Sequence, residues 1–109
     1  RRRDEEDKKE FLKFAKADII IQLLPVLDSL SLSGSHGEII YKQFMQILRQ
    51  NGLEEDNPLG EEFDPKLHEA IGTVESEDDH KILEVVQKGY ILSGKIIRPA
   101  KVKIGTHNG

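Results

Sequence analysis

Gly89-Tyr90-Ile91-Leu92-Ser93-Gly94-Lys95 spells seven positions of a phosphate-cradling loop, G-x-x-x-x-G-K, in which backbone N–H groups and a lysine hold a nucleotide's phosphates. The eighth position is Ile96, where a Ser or Thr hydroxyl would hold magnesium, and the flanking residues pattern as strands rather than as strand then helix. Tyr90, Ile91 and Leu92 are also bulky for a loop whose amides must wrap a phosphate, so the motif is read as a decoy. Asp78-Asp79-His80 sets carboxylates beside an imidazole, but His36, His68 and His107 stand far off in sequence. No second ligand set has the spacing to complete a metal site. Ser33, Ser35 and His36 share a turn with no elbow or buried acid to activate a serine. Glu61, Glu62 and Asp64 read as an acidic loop. The chain is therefore not read as an enzyme, and neither cofactor nor metal is expected.

The elements that carry these residues fall into two halves. The chain has 109 residues, 37% apolar and 33% charged, with no Cys and no Trp. Without cysteine there is neither a disulfide framework nor a thiolate metal site. The richest apolar stretch, Ile19 to Leu27, is interrupted by Gln22 and Pro25 and is too short to span a membrane. An acidic total, net −4, argues against general nucleic-acid binding. Charge is unevenly placed: residues 1–52 hold nine basic and eight acidic groups, and residues 53–84 hold twelve acids against Lys66 and Lys81. Residues 85–109 carry Lys88, Lys95, Arg98, Lys101 and Lys103 with no acid. That basic end either steers docking onto an acidic partner or neutralises the acidic segment within one fold.

Residues 1–30 read as one long helix. Leu12, Ala15, Ile19, Leu23, Val26 and Leu30 recur at spacings of three and four and form one stripe, which Phe11, Phe14, Ile20, Ile21, Leu24 and Leu27 widen. Thirty helical residues span about 45 Å, longer than a core of this size covers. Pro25 predicts a kink, because its ring crowds the Ile21 carbonyl and it donates no hydrogen bond; a stop near Leu24 is the alternative. Ser31 to Gly37 is a turn by composition, and Ser35 with Glu38 has capping-box spacing. A second helix then runs to about Asn51 with Ile40, Tyr41, Phe44, Ile47 and Leu48 on its apolar face, and Asn51-Gly52 supplies a left-handed stop. Two helices alone bury too little surface, so a four-helix bundle built from two protomers is expected.

After Gly52 the apolar period shifts towards two. Ile71 to Val74, Ile82 to Val86, Tyr90 to Leu92, Ile96 to Arg98 and Ala100 to Ile104 read as short strands, with a tight hairpin turn at Ser93-Gly94. Ala100, Val102 and Ile104 share one strand face while Lys101 and Lys103 share the other. The fold class is α+β, with helical residues 1–52 for dimerisation and a small all-β C-terminal domain at 53–109.

These same residues resemble the GrpE family, the nucleotide exchange factors of DnaK-type chaperones. Leu23-Leu24-Pro25-Val26-Leu27-Asp28-Ser29-Leu30 is similar to that family's proline-containing helix, and Glu38-Ile39-Ile40-Tyr41-Lys42-Gln43-Phe44 to its following bundle helix. Phe63-Asp64-Pro65-Lys66-Leu67-His68-Glu69-Ala70 resembles the family signature, followed by Val74-Glu75-Ser76. Gln87 to Ala100 matches the C-terminal block. The resemblance implies a homodimer that docks its β-domain on a chaperone's nucleotide-binding domain, opens its cleft and speeds ADP release, serving protein folding and the heat-stress response. It implies chaperone contacts at Val86, Lys95 and Ile104, with Lys88 and Leu92 nearby. Dimer contacts are expected from Leu12, Ile19, Leu23, Val26, Leu27, Tyr41, Phe44 and Leu48. A plain structural reading competes for the first set: Val86 and Ile104 as β-core, Lys95 as a solvated residue beside the hairpin turn.

The family's long helices begin upstream, so the chain reads as N-terminally truncated. Cytoplasm is the expected location, with mitochondrial matrix or plastid as alternatives. A structural dimerisation module, or a helical thermosensor without exchange activity, is the alternative function. The sequence departs from the family at His36-Gly37-Glu38, where Gly-x-Glu is usual, and at Ser76 to Leu83, which lacks the usual Pro-Gly turn.

Overall fold

Helix α1 spans Arg2–Ser31 and helix α2 Gly34–Gln50. Among the described residues six strands follow: β1 Leu53–Asp56, β2 His68–Glu75, β3 Ile82–Gln87, β4 Gly89–Leu92, β5 Lys95–Arg98 and β6 Ala100–Thr106. The computed structural model describes residues 2–107. Arg1, the expected first residue of the helix, and residues 108–109 of the expected β-domain lie outside the described residues. The chain divides into two compact units, one reaching to Ile47 and one beginning at Leu48. The fold is α+β, as expected.

Helix α1 runs unbroken through Pro25. The long turn expected over Ser31 to Gly37 contracts to Leu32 and Ser33. Gly34, at φ +72°, makes the reversal in the left-handed region that other residues avoid. Helix α2 therefore starts earlier than expected, and the Ser35–Glu38 capping box does not form, because Ser35 already lies inside the first turn. Ser33 stands at the capping position, but its hydroxyl donates back to the Ser29 carbonyl at 2.6 Å. Gly37 is buried where α2 folds against α1: a Cβ there would overlap the Leu30 carbonyl oxygen. Among the described residues of the first unit the buried side chains are Ile20, Leu24 and Leu27 on α1 and Tyr41 and Met45 on α2, each set spaced for one helix face.

The second unit opens with the end of α2, and Gly52, at φ +92°, provides the expected left-handed stop. Two three-stranded sheets follow, ordered β1-β4-β5 and β2-β6-β3. The first is antiparallel throughout; in the second, β6 is central, parallel to β2 and antiparallel to β3. Ser93 (φ 50°) and Gly94 (φ 83°) both lie in the left-handed region and join the Leu92–Lys95 pair, which is the two-residue primed hairpin the sequence predicts. Its tip is tied to the helix stop by the Ser93 N–H, which donates to the Gly52 carbonyl at 2.9 Å. Strand β1 was not expected, since Leu53-Glu54-Glu55-Asp56 offers one apolar residue; β2 begins at His68 rather than Ile71, and β6 reaches Thr106.

Ile82, Ala100 and Val102 are fully buried, with Phe63, Val85 and Ile104 packed against them. Among the described residues, Leu53, Tyr90 and Leu92 are the buried apolar side chains of the β1-β4-β5 sheet, with Gly89 buried beside them. His68 is buried beside Phe63, and its Nδ1 accepts the Asp64 N–H at 3.0 Å, fixing the loop that leads into β2. In place of a Pro-Gly turn, Ser76 to Lys81 closes on β6. The Ser76 hydroxyl accepts the Asp78 N–H at 3.1 Å, the His80 N–H donates to the Gly105 carbonyl, and His80 itself takes a positive φ of 64°.

Candidate functional site

In the second unit, four of the five expected contact residues fall near the crossing between the sheets or at the hairpin tip, and Ile104 does not. Lys95 opens β5 beside the Ser93-Gly94 turn and is exposed. Val86 is about half exposed (48%), and the β3–β6 register slips between Val85 and Gln87, so Val86 is an extra residue in its strand. Such a bulge bends the strand and turns its side chain out of the alternation. Leu92 is buried and pairs with Lys95 in the hairpin, so its side chain serves the fold. Ile104 packs on the inner cluster across from Ile82. The core reading thus holds for Ile104 and fails for Val86.

Lys88 is the single residue between β3 and β4, where the chain passes from one sheet to the other. It is held at both ends. Its ammonium lies 2.5 Å from Glu55 Oε1, and Glu55 also faces Arg49 at 3.9 Å. Its carbonyl oxygen accepts two hydrogen bonds from the Arg98 guanidinium, from Nε at 3.1 Å and Nη2 at 2.7 Å. The same guanidinium sits 5.1 Å from the centre of the Tyr90 ring, a cation–π distance. Glu55, Tyr90 and Arg98 are directly paired across β1, β4 and β5, so all three stand on one face of that sheet. This row was missed in the sequence because a tight hairpin at Ser93-Gly94 would put Ile97 opposite Tyr90. A bulge between Tyr90 and Ile91 moves Arg98 there instead.

Gly89 to Lys95, the decoy loop, is a strand, a turn and the start of the next strand, so its amides belong to sheet pairing rather than to a phosphate. Among the described residues no group of three His, Asp or Glu is placed to hold a metal ion. Among them, too, no helix is long and apolar enough to cross a membrane.

In the first unit the expected dimer residues divide sharply. Leu27 and Tyr41 are buried within the single chain, as is Leu48 at the end of α2. Leu12 (64%), Ile19 (60%) and Val26 (44%) are exposed, and Leu23 and Phe44 are half-buried. At 100° per residue, Leu12, Ile19, Leu23, Val26 and Leu30 lie within about 60° of one another on α1. The buried stripe Ile20, Leu24 and Leu27 occupies the neighbouring face. On α2, Ile40 and Ile47 are exposed beside Phe44. Each helix of the hairpin therefore carries one buried apolar face and a second, uncovered one.

The family profile described as GrpE matches residues 1–106. Protein GrpE of Thermotoga petrophila is 39% identical over 110 residues, covering 90% of this chain and 63% of the relative. Protein GrpE of Thermotoga maritima is 40% identical over the same length and coverage. Protein GrpE of Francisella tularensis subsp. novicida is 39% identical over 119 residues, covering 95% of this chain and 61% of the relative. The chain thus spans a little over three-fifths of the length of these curated relatives.

Proposed function

The chain belongs to the GrpE family, and from that premise we propose that it is the dimerising and docking part of a nucleotide exchange factor for a DnaK-type chaperone. The observation that carries this reading is the extent of the match, which runs through both helices and all six strands. Residues 1–52 serve dimerisation: the uncovered stripe Leu12, Ile19, Leu23 and Val26, with Phe44 on α2, is covered by the same stripe of a second copy. Residues 53–109 dock on the chaperone's nucleotide-binding domain, with Val86 as the apolar contact and Lys95 as the charged one. The cytoplasm is the location that fits this role.

The mechanism needs no reactive group on this chain. A factor that binds the open form of the chaperone cleft more tightly than the closed form shifts the population towards open. The closed form holds ADP, so opening hastens its escape. Moving a population from 1:99 to 99:1 takes about 5.5 kcal/mol of differential binding. By linkage, a nucleotide that favours closure loosens the factor.

The test is the release of fluorescent ADP from a purified DnaK-type chaperone, timed with and without this chain. Faster release that saturates with added chain is expected. Unchanged release across several such chaperones refutes the reading.

A further inference from the structure

We propose that Arg98 is a positioning residue for docking: it never needs to touch the partner, but it fixes the crossing that presents Val86. The inference rests on the reading of the β unit as the docking part. Val86 lies in a bulge two residues before the one-residue crossing at Lys88. A bulged strand followed directly by a sheet change has little pairing of its own to set the direction of an exposed side chain. The missing constraint is supplied from the other sheet. Two guanidinium donors converge on the Lys88 carbonyl oxygen, and the guanidinium is held over Tyr90, which is itself fully buried. Charge-assisted bonds of this kind are stronger than neutral ones, and the planar fork loses little freedom in forming them. On the opposite side Glu55 holds the Lys88 ammonium, so the crossing is gripped from β1 and from β5.

Arg98→Lys keeps the charge over Tyr90 but replaces the two-donor fork with a single flexible ammonium. In that variant, stimulated ADP release at sub-saturating factor should fall about tenfold, the equivalent of one charge-assisted hydrogen bond. The diagnostic reading is coupling to Val86. Val86→Ala should weaken docking when made in the parent chain. Made in the Arg98→Lys variant, the same substitution should change docking less than about twofold, because the contact is already lost. A merely stabilising arginine would instead lower the melting temperature and leave the Val86→Ala effect intact. Equal activity of Arg98→Lys and the parent chain, or additive effects of the two substitutions, overturns the proposal. So does loss of the folded β unit in both Arg98→Lys and Arg98→Gln, since Arg98 would then serve the fold alone. Failure of the parent chain itself to speed ADP release strikes the underlying reading instead, so the two failures are distinct.

Discussion

Replacing Gly37 with alanine sets two effects against each other, and the structure decides the sign. Gly37 lies in the first turn of α2, where helix propensity favours alanine by about 1 kcal/mol. Its position is buried, however, and an added Cβ would lie 2.6 Å from Ser33 Cβ and overlap the Leu30 carbonyl oxygen. Ordinary contact begins at 3.4 Å, so α2 must retreat by most of an ångström from the last turn of α1. Neither obstacle is the far end of a flexible chain. Overpacking of this kind costs about 1–3 kcal/mol and also loosens contacts further along the hairpin. With two rigid obstacles the steric cost falls in the upper part of that range, about 2–3 kcal/mol, so subtracting the propensity gain leaves a net loss of about 1–2 kcal/mol. In the proposed two-chain helical assembly of roughly 100 residues, that would lower the melting temperature by about 4–16 °C. Circular dichroism of the helical signal would follow this, with chain concentration fixed because the proposed dimerisation would link the transition to association. Ser35→Ala, exposed in the same turn and free of any capping role, serves as the control and should move the midpoint by less than about 2 °C. An unchanged or raised midpoint for Gly37→Ala would refute the argument, because it would mean the helices do not approach as closely as the backbone places them.

Other outcomes are expected from the same structure. Ile19→Asp places a charge at the centre of the uncovered α1 stripe and should weaken self-association by at least about thirtyfold, read by sedimentation, since about 2 kcal/mol of apolar burial is lost. Lys95→Glu reverses an exposed charge beside the hairpin; it should slow stimulated ADP release several-fold and lessen its salt dependence, while the melting of the β unit stays within a degree or two of the parent. Residues 3–14 of α1 are exposed throughout, so amide exchange there should be faster than at Ile20 to Leu27, and a first thermal transition should precede the main one. A single cooperative step would exclude a thermosensing role for this segment.

Much of the architecture was legible because its signals are local. The three- and four-residue spacing of α1, the hairpin at Ser93-Gly94, the Gly52 stop and the alternation Ala100, Val102, Ile104 each follow from the chemistry of a few neighbouring residues. Strand β1 was hidden because three of its four residues are acidic. Its pairing is supplied by β4 and its Glu55 is met by Lys88, both distant in sequence, while Arg49 adds a weaker contact from the end of α2. The start of α2 was misread because Ser35 and Glu38 spell a cap, whereas the reversal is made one residue earlier by Gly34 and the other glycine, Gly37, is needed for close approach. At the candidate site, the exposure of Val86 depends on a bulge in β3, and a bulge leaves no mark in a two-residue pattern; Leu92 and Ile104 face inward by simple alternation with Tyr90 and with Val102.

The place of β6 at the centre of its sheet has a consequence for how the protein is made. Strands β2 and β3 leave the ribosome first, yet each pairs with β6 and not with the other. Until Ala100 to Thr106 emerges, both must wait as unzipped edges, whereas the helical hairpin can close as soon as its own residues are free of the exit tunnel. A nascent chain arrested before Ala100 should therefore hold a formed hairpin beside an unformed sheet, a state whose bare strands invite capture by chaperones.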